Sequence, residues 1–168
     1  VSEALFSRDR YELPPCNLRR LTAGDAERLA AALAAIDPWR TLGYRATVLE
    51  AYLRNADPAL ARFAIVAREA LAGVVCLRFP WLRGPQLELI ALLDGFRGRG
   101  LGAAVMNWAE AEAFHSAANI WALVSSFNAG ARRFYRTRGF VEIGVIPELL
   151  GAGRDEILLR KQRPISTV

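Results

Sequence analysis

Histidine is almost missing from this chain: the only imidazole is His115. Most hydrolase and metal chemistries draw on two or three imidazoles, so this scarcity removes them. The two cysteines, Cys16 and Cys76, stand too far apart for a Cys-x-x-Cys zinc pair or a disulfide framework. Cys76 lies in an apolar run and reads as a core residue. Lysine is reduced to Lys161, so arginine carries the net charge of +5. Those arginines are scattered, with no run of five or more. With abundant alanine, the bias matches a GC-rich coding sequence as well as a selected surface. Nucleic acid is therefore not expected as the main partner, and a small anionic ligand suits the modest positive charge. No apolar run approaches the roughly 18 residues of a membrane helix. Nothing at the N-terminus resembles a signal peptide. The expectation is a cytoplasmic protein without a metal.

What is present is apolar residue in quantity. Of 168 residues, 53% are hydrophobic, enough for one domain with a sizeable core. Residues 1–16 read as an irregular arm ending in Pro14-Pro15, followed by a short strand at Asn17–Leu21. Thr22 can cap a helix over Asp25–Ile36, with Asp25 at capping-box distance and Leu29, Leu33 and Ile36 on one face. Asp37-Pro38 ends it. A second helical stretch follows at Ala46–Arg54. Strands are expected at Arg62–Ala67, Ala72–Phe79 and Gln86–Leu93. A helix over Leu101–Phe114, a strand at Ile120–Val124 and a helix over Ala129–Arg138 come next, the last stopped by Gly139. Phe140–Val145 and Glu156–Arg160 close the chain as strands. This order predicts an α/β (α+β) fold in a single domain over residues 1–168: a mixed sheet with helices on both faces.

The segment Arg97-Gly98-Arg99-Gly100-Leu101-Gly102 lies between a strand and a helix. Glycines at alternate positions let the backbone approach a ligand, and successive N–H groups can form an anion nest. The following helix adds its free N–H groups and dipole, and Arg97 and Arg99 add charge. Pyrophosphate binding is the chemistry that needs this. Gly98-x-Gly100-x-x-Ala103 also satisfies a dinucleotide pattern, which would make the protein an oxidoreductase. That fold wants an acidic residue about 20 positions on, and residues 117–127 hold none. A Walker loop would need Gly-Lys-Ser/Thr, which is missing. A glycine turn that binds nothing is the remaining alternative.

A second motif follows the strand Ile120–Val124: Asn128-x-x-Ala131-x-x-x-Tyr135-x-x-x-Gly139-Phe140. Together with Arg97-x-x-Gly100-x-Gly102, it resembles the two cofactor motifs of the GNAT N-acetyltransferase superfamily. The element order from Asn17 to Arg160 is similar too. The resemblance implies a mixed, mostly antiparallel central sheet and acetyl-CoA as donor. Backbone amides of Gly98, Arg99, Gly100, Leu101 and Gly102 would hold the pyrophosphate. Main-chain groups at Leu92 and Leu93 would pair with pantetheine, the Leu92 amide would polarise the thioester, and Asn128 would contact the pantetheine arm. Tyr135 would protonate the departing thiolate. A phenol of pKa about 10 suits a thiolate of about 8.5 with little mismatch. A non-catalytic acyl-CoA-binding module of the same fold would carry the same loop.

The acceptor that the resemblance implies is a primary amine, which has to lose a proton. Glu88, expected on the same strand face as Ile90 and Leu92, is the candidate base, and several superfamily members resemble this sequence in carrying a glutamate there. Leu123 stands where ribosomal-protein N-terminal acetyltransferases have a glutamate, which argues against carrying that base over. Trp39, Tyr44 and Trp81, with Tyr52 and Glu148, are the candidate substrate contacts, since exposed loop aromatics often wall a pocket. His115 suits a helix C-terminus and receives no catalytic role. A homodimer is an open expectation.

Overall fold

Two hydrophobic cores, one on each side of a single sheet, hold the chain together. The computed structural model describes residues 5–165. Its strands are β1 (Arg10–Leu13), β2 (Cys16–Arg20), β3 (Leu60–Ala67), β4 (Ala70–Trp81), β5 (Gly84–Leu92), β6 (Asn119–Ser125), β7 (Val141–Ile146) and β8 (Glu156–Gln162). Its helices are α1 (Ala23–Ala34), α2 (Trp39–Leu42), α3 (Ala46–Arg54), α4 (Leu101–Ser116) and α5 (Ala129–Thr137). The strands lie in the order β1-β2-β3-β4-β5-β6-β8-β7, and every neighbouring pair is antiparallel except β5 with β6. The expected mixed, mostly antiparallel sheet is the one observed. It is not the doubly wound parallel sheet of a dinucleotide fold.

Alternation along the strands distributes the core. Phe63, Ile65, Val75, Leu87, Ile120, Ala122 and Val124 face α4 and α5. Ala64, Val74, Cys76, Leu89 and Ala91 face α1 and α3. Cys76 is fully buried, as its apolar run suggests. No helix among the described residues is long and apolar enough to cross a membrane.

Two differences from the sequence expectation have physical causes. Residues 10–13 are not irregular: they form β1, which pairs with β2 as a hairpin. Tyr11 turns inward there and packs against Trp108 at 4.9 Å and Phe63 at 5.6 Å, while Phe6 meets Trp108 at 5.5 Å. Three aromatic anchors outweigh the charged Arg10 and Glu12, which the pleat turns to solvent. Residues 1–4 of the expected arm lie outside the described residues. Secondly, the loop expected at Asp37-Pro38-Trp39 closes into the single turn α2, stopped by Gly43 at φ +76°.

Strand β5 carries a bulge. Cys76 pairs with Leu89, but Leu77 pairs with Leu87, so Glu88 is an extra residue in β5. A bulge turns its side chain out of the alternation and adds local twist. Glu88 therefore does not share a face with Leu92, as simple alternation predicts. It points to the α3 side, where its carboxylate accepts from the Tyr52 hydroxyl at 2.9 Å. Leu92 packs toward α4. The parallel pairing of β5 with β6 covers only Gln86–Leu87 against Trp121–Ala122, and past that point the strands part.

The first helix begins as expected. Thr22 is its N-cap, and the capping box with Asp25 is complete. The Arg19 guanidinium, 2.5 Å away, together with the Thr22 hydroxyl and N–H, holds the Asp25 carboxyl well below the usual carboxylate range. Asp25→Asn should destabilise the protein by about 1–2 kcal/mol at neutral pH, read by urea unfolding. A carboxyl whose folded pKa is depressed stabilises fully above its ordinary value of about 3.9 and loses that contribution as pH falls below it. The variant and the wild type should therefore converge in stability as the pH drops through that range.

Candidate active site

The parting of β5 and β6 leaves a cavity of about 580 Å³ that reaches both faces of the sheet. Phe134 and Tyr135 of α5 line it on one side, and Trp39 and Leu42 of α2 with Tyr44 line it on the other. Main-chain groups along the β6-facing edge of β5 have lost their partner strand. Leu93 is not one of them: its N–H donates to the Ala72 carbonyl (2.8 Å), and its carbonyl accepts from Phe96 N–H (3.1 Å). Strand alternation then turns the Leu92 groups to the open edge, where the Leu92 carbonyl accepts from Arg97 Nε at 3.2 Å. Of the two expected main-chain partners, only Leu92 is placed to pair with an extended ligand.

Below this edge the glycine loop leads into α4. Gly98 and Gly100 have φ of +70° and +77°, and nothing lies within 4 Å of where a Cβ would sit, so the space beside the backbone is open. Gly100 is the N-cap and no side chain caps the helix. The first intrahelical bond runs from Ala104 N–H to Gly100 carbonyl. The N–H groups of Leu101, Gly102 and Ala103 therefore have no partner among the described residues, and the helix dipole adds to them. This fits a pyrophosphate. Arg97 and Gly102 line the main cavity. Arg99, 5.9 Å from the Phe96 ring, and Leu101 instead border a second hollow of about 390 Å³ with Arg68. The Leu101 side chain itself is in the core.

Across the wedge, Asn128 caps α5, its side-chain oxygen accepting from Ala131 N–H at 3.1 Å. Asn128 lines the cavity, and its amide NH₂ has no hydrogen bond among the described residues. One turn past Ala131, Tyr135 is clamped between Phe134 and Phe140, with ring centroids 5.6 and 5.3 Å away. Tyr135 is 5% exposed and lines the cavity, and its hydroxyl has no partner among the described residues. Burial pushes its phenol further up, so the protonated form persists through the neutral range.

Of the residues expected on the acceptor side, Glu88, Trp39 and Tyr44 do line the cavity. Glu88 is fully engaged: Arg78 donates to both carboxylate oxygens, Tyr52 donates to one, and Asp57 pairs with the same arginine at 3.0 Å. Tyr52 does not itself line the cavity and touches it only through Glu88. Trp81 is not in the cavity. It sits at the far end of β4 against Trp121, with ring centroids 5.6 Å apart. Glu148 folds back on its own loop, accepting from Gly153 N–H at 3.2 Å. No pattern in the chain singles out Ser125 and Glu156, a buried pair at the ends of β6 and β8, or Leu149 and Leu150 in the β7–β8 connection. All four line the cavity. A glutamate opening an apolar strand looks like one facing water until the neighbouring strand and loop cover it. Among the described residues, no group of three or more His, Cys, Asp or Glu could hold a metal ion.

Comparison with known proteins gives this geometry a family. Residues 26–140 match the profile of the acetyltransferase (GNAT) family. No curated protein matches the sequence. Among solved structures, an acetyltransferase from Thermus thermophilus superposes with a TM-score of 0.70 at 17% identity, covering 91% of this chain and 100% of that one. A spermidine N-acetyltransferase chimera that includes the Vibrio cholerae enzyme gives 0.68 at 24% identity, covering 88% and 95%. Nourseothricin acetyltransferase gives 0.58 at 30% identity, covering 64% and 68%. The family match takes in the wedge, the glycine loop and the Tyr135 helix together, and the chain belongs to the acetyltransferase (GNAT) family, in which acetyl-CoA-dependent N-acetyl transfer is general.

Proposed function

We propose that this protein is an acetyl-CoA-dependent N-acetyltransferase that passes the acetyl group directly to a primary amine. The observation that carries this reading is the unpartnered Tyr135 hydroxyl, which shares one cavity with the open edge of β5. Bound acetyl-CoA supplies an acetyl group already activated as a thioester. The N–H groups of residues 98–103 receive the pyrophosphate, and Arg68 and Arg99 add positive charge at the second hollow. Leu92 and the Asn128 amide align the pantetheine arm, which sets the thioester in the wedge. Holding both reactants in one narrow cleft supplies much of the rate through orientation.

As the amine nitrogen attacks, a new C–N bond forms and the C–S bond breaks. The Leu92 N–H stabilises charge developing on the carbonyl oxygen. Tyr135 gives its proton to the leaving sulfur and regains one from the nitrogen as the amide forms. Glu88 has both oxygens committed to Arg78 and Tyr52. It serves as a counter-ion that shapes the bulge, in place of the base role its position in the strand suggests.

Tyr135→Phe should lower kcat by roughly 10²-fold or more while acetyl-CoA affinity by calorimetry stays close to wild type. An unchanged kcat would remove Tyr135 from the reaction. Gly100→Val puts a β-branched residue at φ +77° and closes the open approach. It should weaken acetyl-CoA binding by about tenfold or more, and unchanged affinity would mean that the loop does not hold the pyrophosphate. Acetyl-CoA binding without thiol release for any amine would favour a non-catalytic acyl-CoA-binding module.

A further inference from the structure

Glu156 opens β8 directly opposite Ser125, the last residue of β6. The residues that follow and precede them, Ile157 and Val124, face the α4 core. Strand alternation therefore turns Glu156 and Ser125 to the other face, the side of α2. Glu156 is only 6% exposed, yet it lines the cavity. Ser125 Oγ donates to its Oε1 at 2.5 Å. Its second oxygen has no hydrogen bond or ion pair among the described residues. No arginine among the described residues pairs with it: Arg132 donates to the Ser126 carbonyl at 3.2 Å and pairs with Glu142. Arg154 donates to the Leu42 carbonyl at 2.8 Å, and Arg160 donates to Asn119 at 2.8 Å and lies over Trp121.

A buried carboxylate without a counter-ion is costly in an apolar setting. Glu88, in the same cavity, has its charge balanced by Arg78. Glu156 does not. Trp39, Tyr44, Leu149 and Leu150 line the same cavity, and a partly aromatic lining favours a cation and disfavours a second anion. Burial also pushes the Glu156 carboxyl up, with the Ser125 hydroxyl opposing part of that rise, which makes it a better proton acceptor than an exposed glutamate. The other ionisable groups lining the cavity are Asp37, Tyr44, Glu88, Arg97 and Tyr135, and none pairs with Glu156.

We propose that Glu156, held in place by Ser125, receives the ammonium group of the acceptor and takes its first proton, so that the acceptors are cationic alkylamines without a carboxylate beside the nitrogen. The ammonium N–H bond breaks toward Oε2, leaving the nitrogen lone pair free to attack, and the proton then leaves Glu156 for solvent. The second nitrogen proton goes to Tyr135 as described above. Ser125 is a positioning residue, since it acts on the amine only through Glu156.

This inference rests on the acetyltransferase reading, and the test separates the two. Acetyl-CoA-dependent thiol release is measured with alkylamines, a linear polyamine and α-amino acids, and acetyl-CoA affinity is measured by calorimetry on each variant. Glu156→Gln keeps the shape and the Ser125 contact. It should lower kcat/KM for alkylamines by roughly 10²-fold, with acetyl-CoA affinity changed less than about twofold. The acid limb of kcat/KM that belongs to Glu156 should vanish, because the wild type needs that carboxylate ionised and the glutamine cannot titrate. Ser125→Ala should lose about tenfold, and Ser125→Thr should recover it. Wild-type transfer to alkylamines with Glu156→Gln equally active and its acid limb intact overturns this proposal and leaves the acetyltransferase reading standing. A preference for α-amino acids does the same. Wild-type protein that binds acetyl-CoA but acetylates nothing in the panel overturns both.

Discussion

The separation of β5 from β6 is the constraint on which the rest of this structure depends. A parallel pair that continued past Leu87 and Ala122 would satisfy its own main chain and leave no room for a ligand. The extra residue at Glu88 prevents that by adding twist where the pairing has to end. Arg78, tied at once to Glu88 and Asp57, holds the bulge from the neighbouring strand. One irregularity in a strand thereby creates an open backbone edge, a cleft through the sheet, and a loop and helix N-terminus set at the mouth of that cleft.

Around this wedge the two sides are built from different materials. The side read as the donor's consists largely of main chain: the Leu92 edge, the glycine turn and the first N–H groups of α4. Such groups suit a ligand recognised by phosphates and amides, and they tolerate much sequence change because few side chains take part. The side proposed for the acceptor consists of side chains from separate parts of the chain: α2, Tyr44, the ends of β6 and β8, and the β7–β8 connection. Arg154 fastens that connection to α2 through the Leu42 carbonyl, so the walls of the acceptor side are braced against each other. A wall made of side chains changes its chemistry with each substitution, whereas a wall made of main chain does not.

Two glutamates show how environment assigns different work to one residue type. Both line the same cavity. Glu88 sits beside a guanidinium and a phenol that hydrogen-bond both its oxygens, and its charge is balanced by Arg78. Glu156 has one hydroxyl as its hydrogen-bond partner and no counter-ion among the described residues. Nothing in their sequence neighbourhoods separates them, since each is followed by a run of aliphatic residues.

The glycine loop, the Asn128-to-Phe140 motif, the Thr22–Asp25 cap and most element boundaries are legible in the chain as written. They depend on local backbone geometry and on spacing along one helix or strand. The readings of the donor and of Tyr135 rest on that local information. The β1 hairpin is not legible, because Tyr11 becomes a core residue only when Phe63 and Trp108 arrive from elsewhere in the chain. Simple alternation puts Glu88 on the wrong face because a bulge is a property of two paired strands, and Cys76 and Leu77 set its position as much as Glu88 does. Trp81 has the loop-like context of a pocket residue, whereas packing against Trp121 places it elsewhere. The fold and the character of the donor site are thus set by the order of residues alone, since both are written in short-range patterns of glycine, apolar and capping residues. The acceptor side takes its character from three-dimensional packing, because burial, counter-ions and a free carboxylate oxygen are relations between residues far apart in the chain.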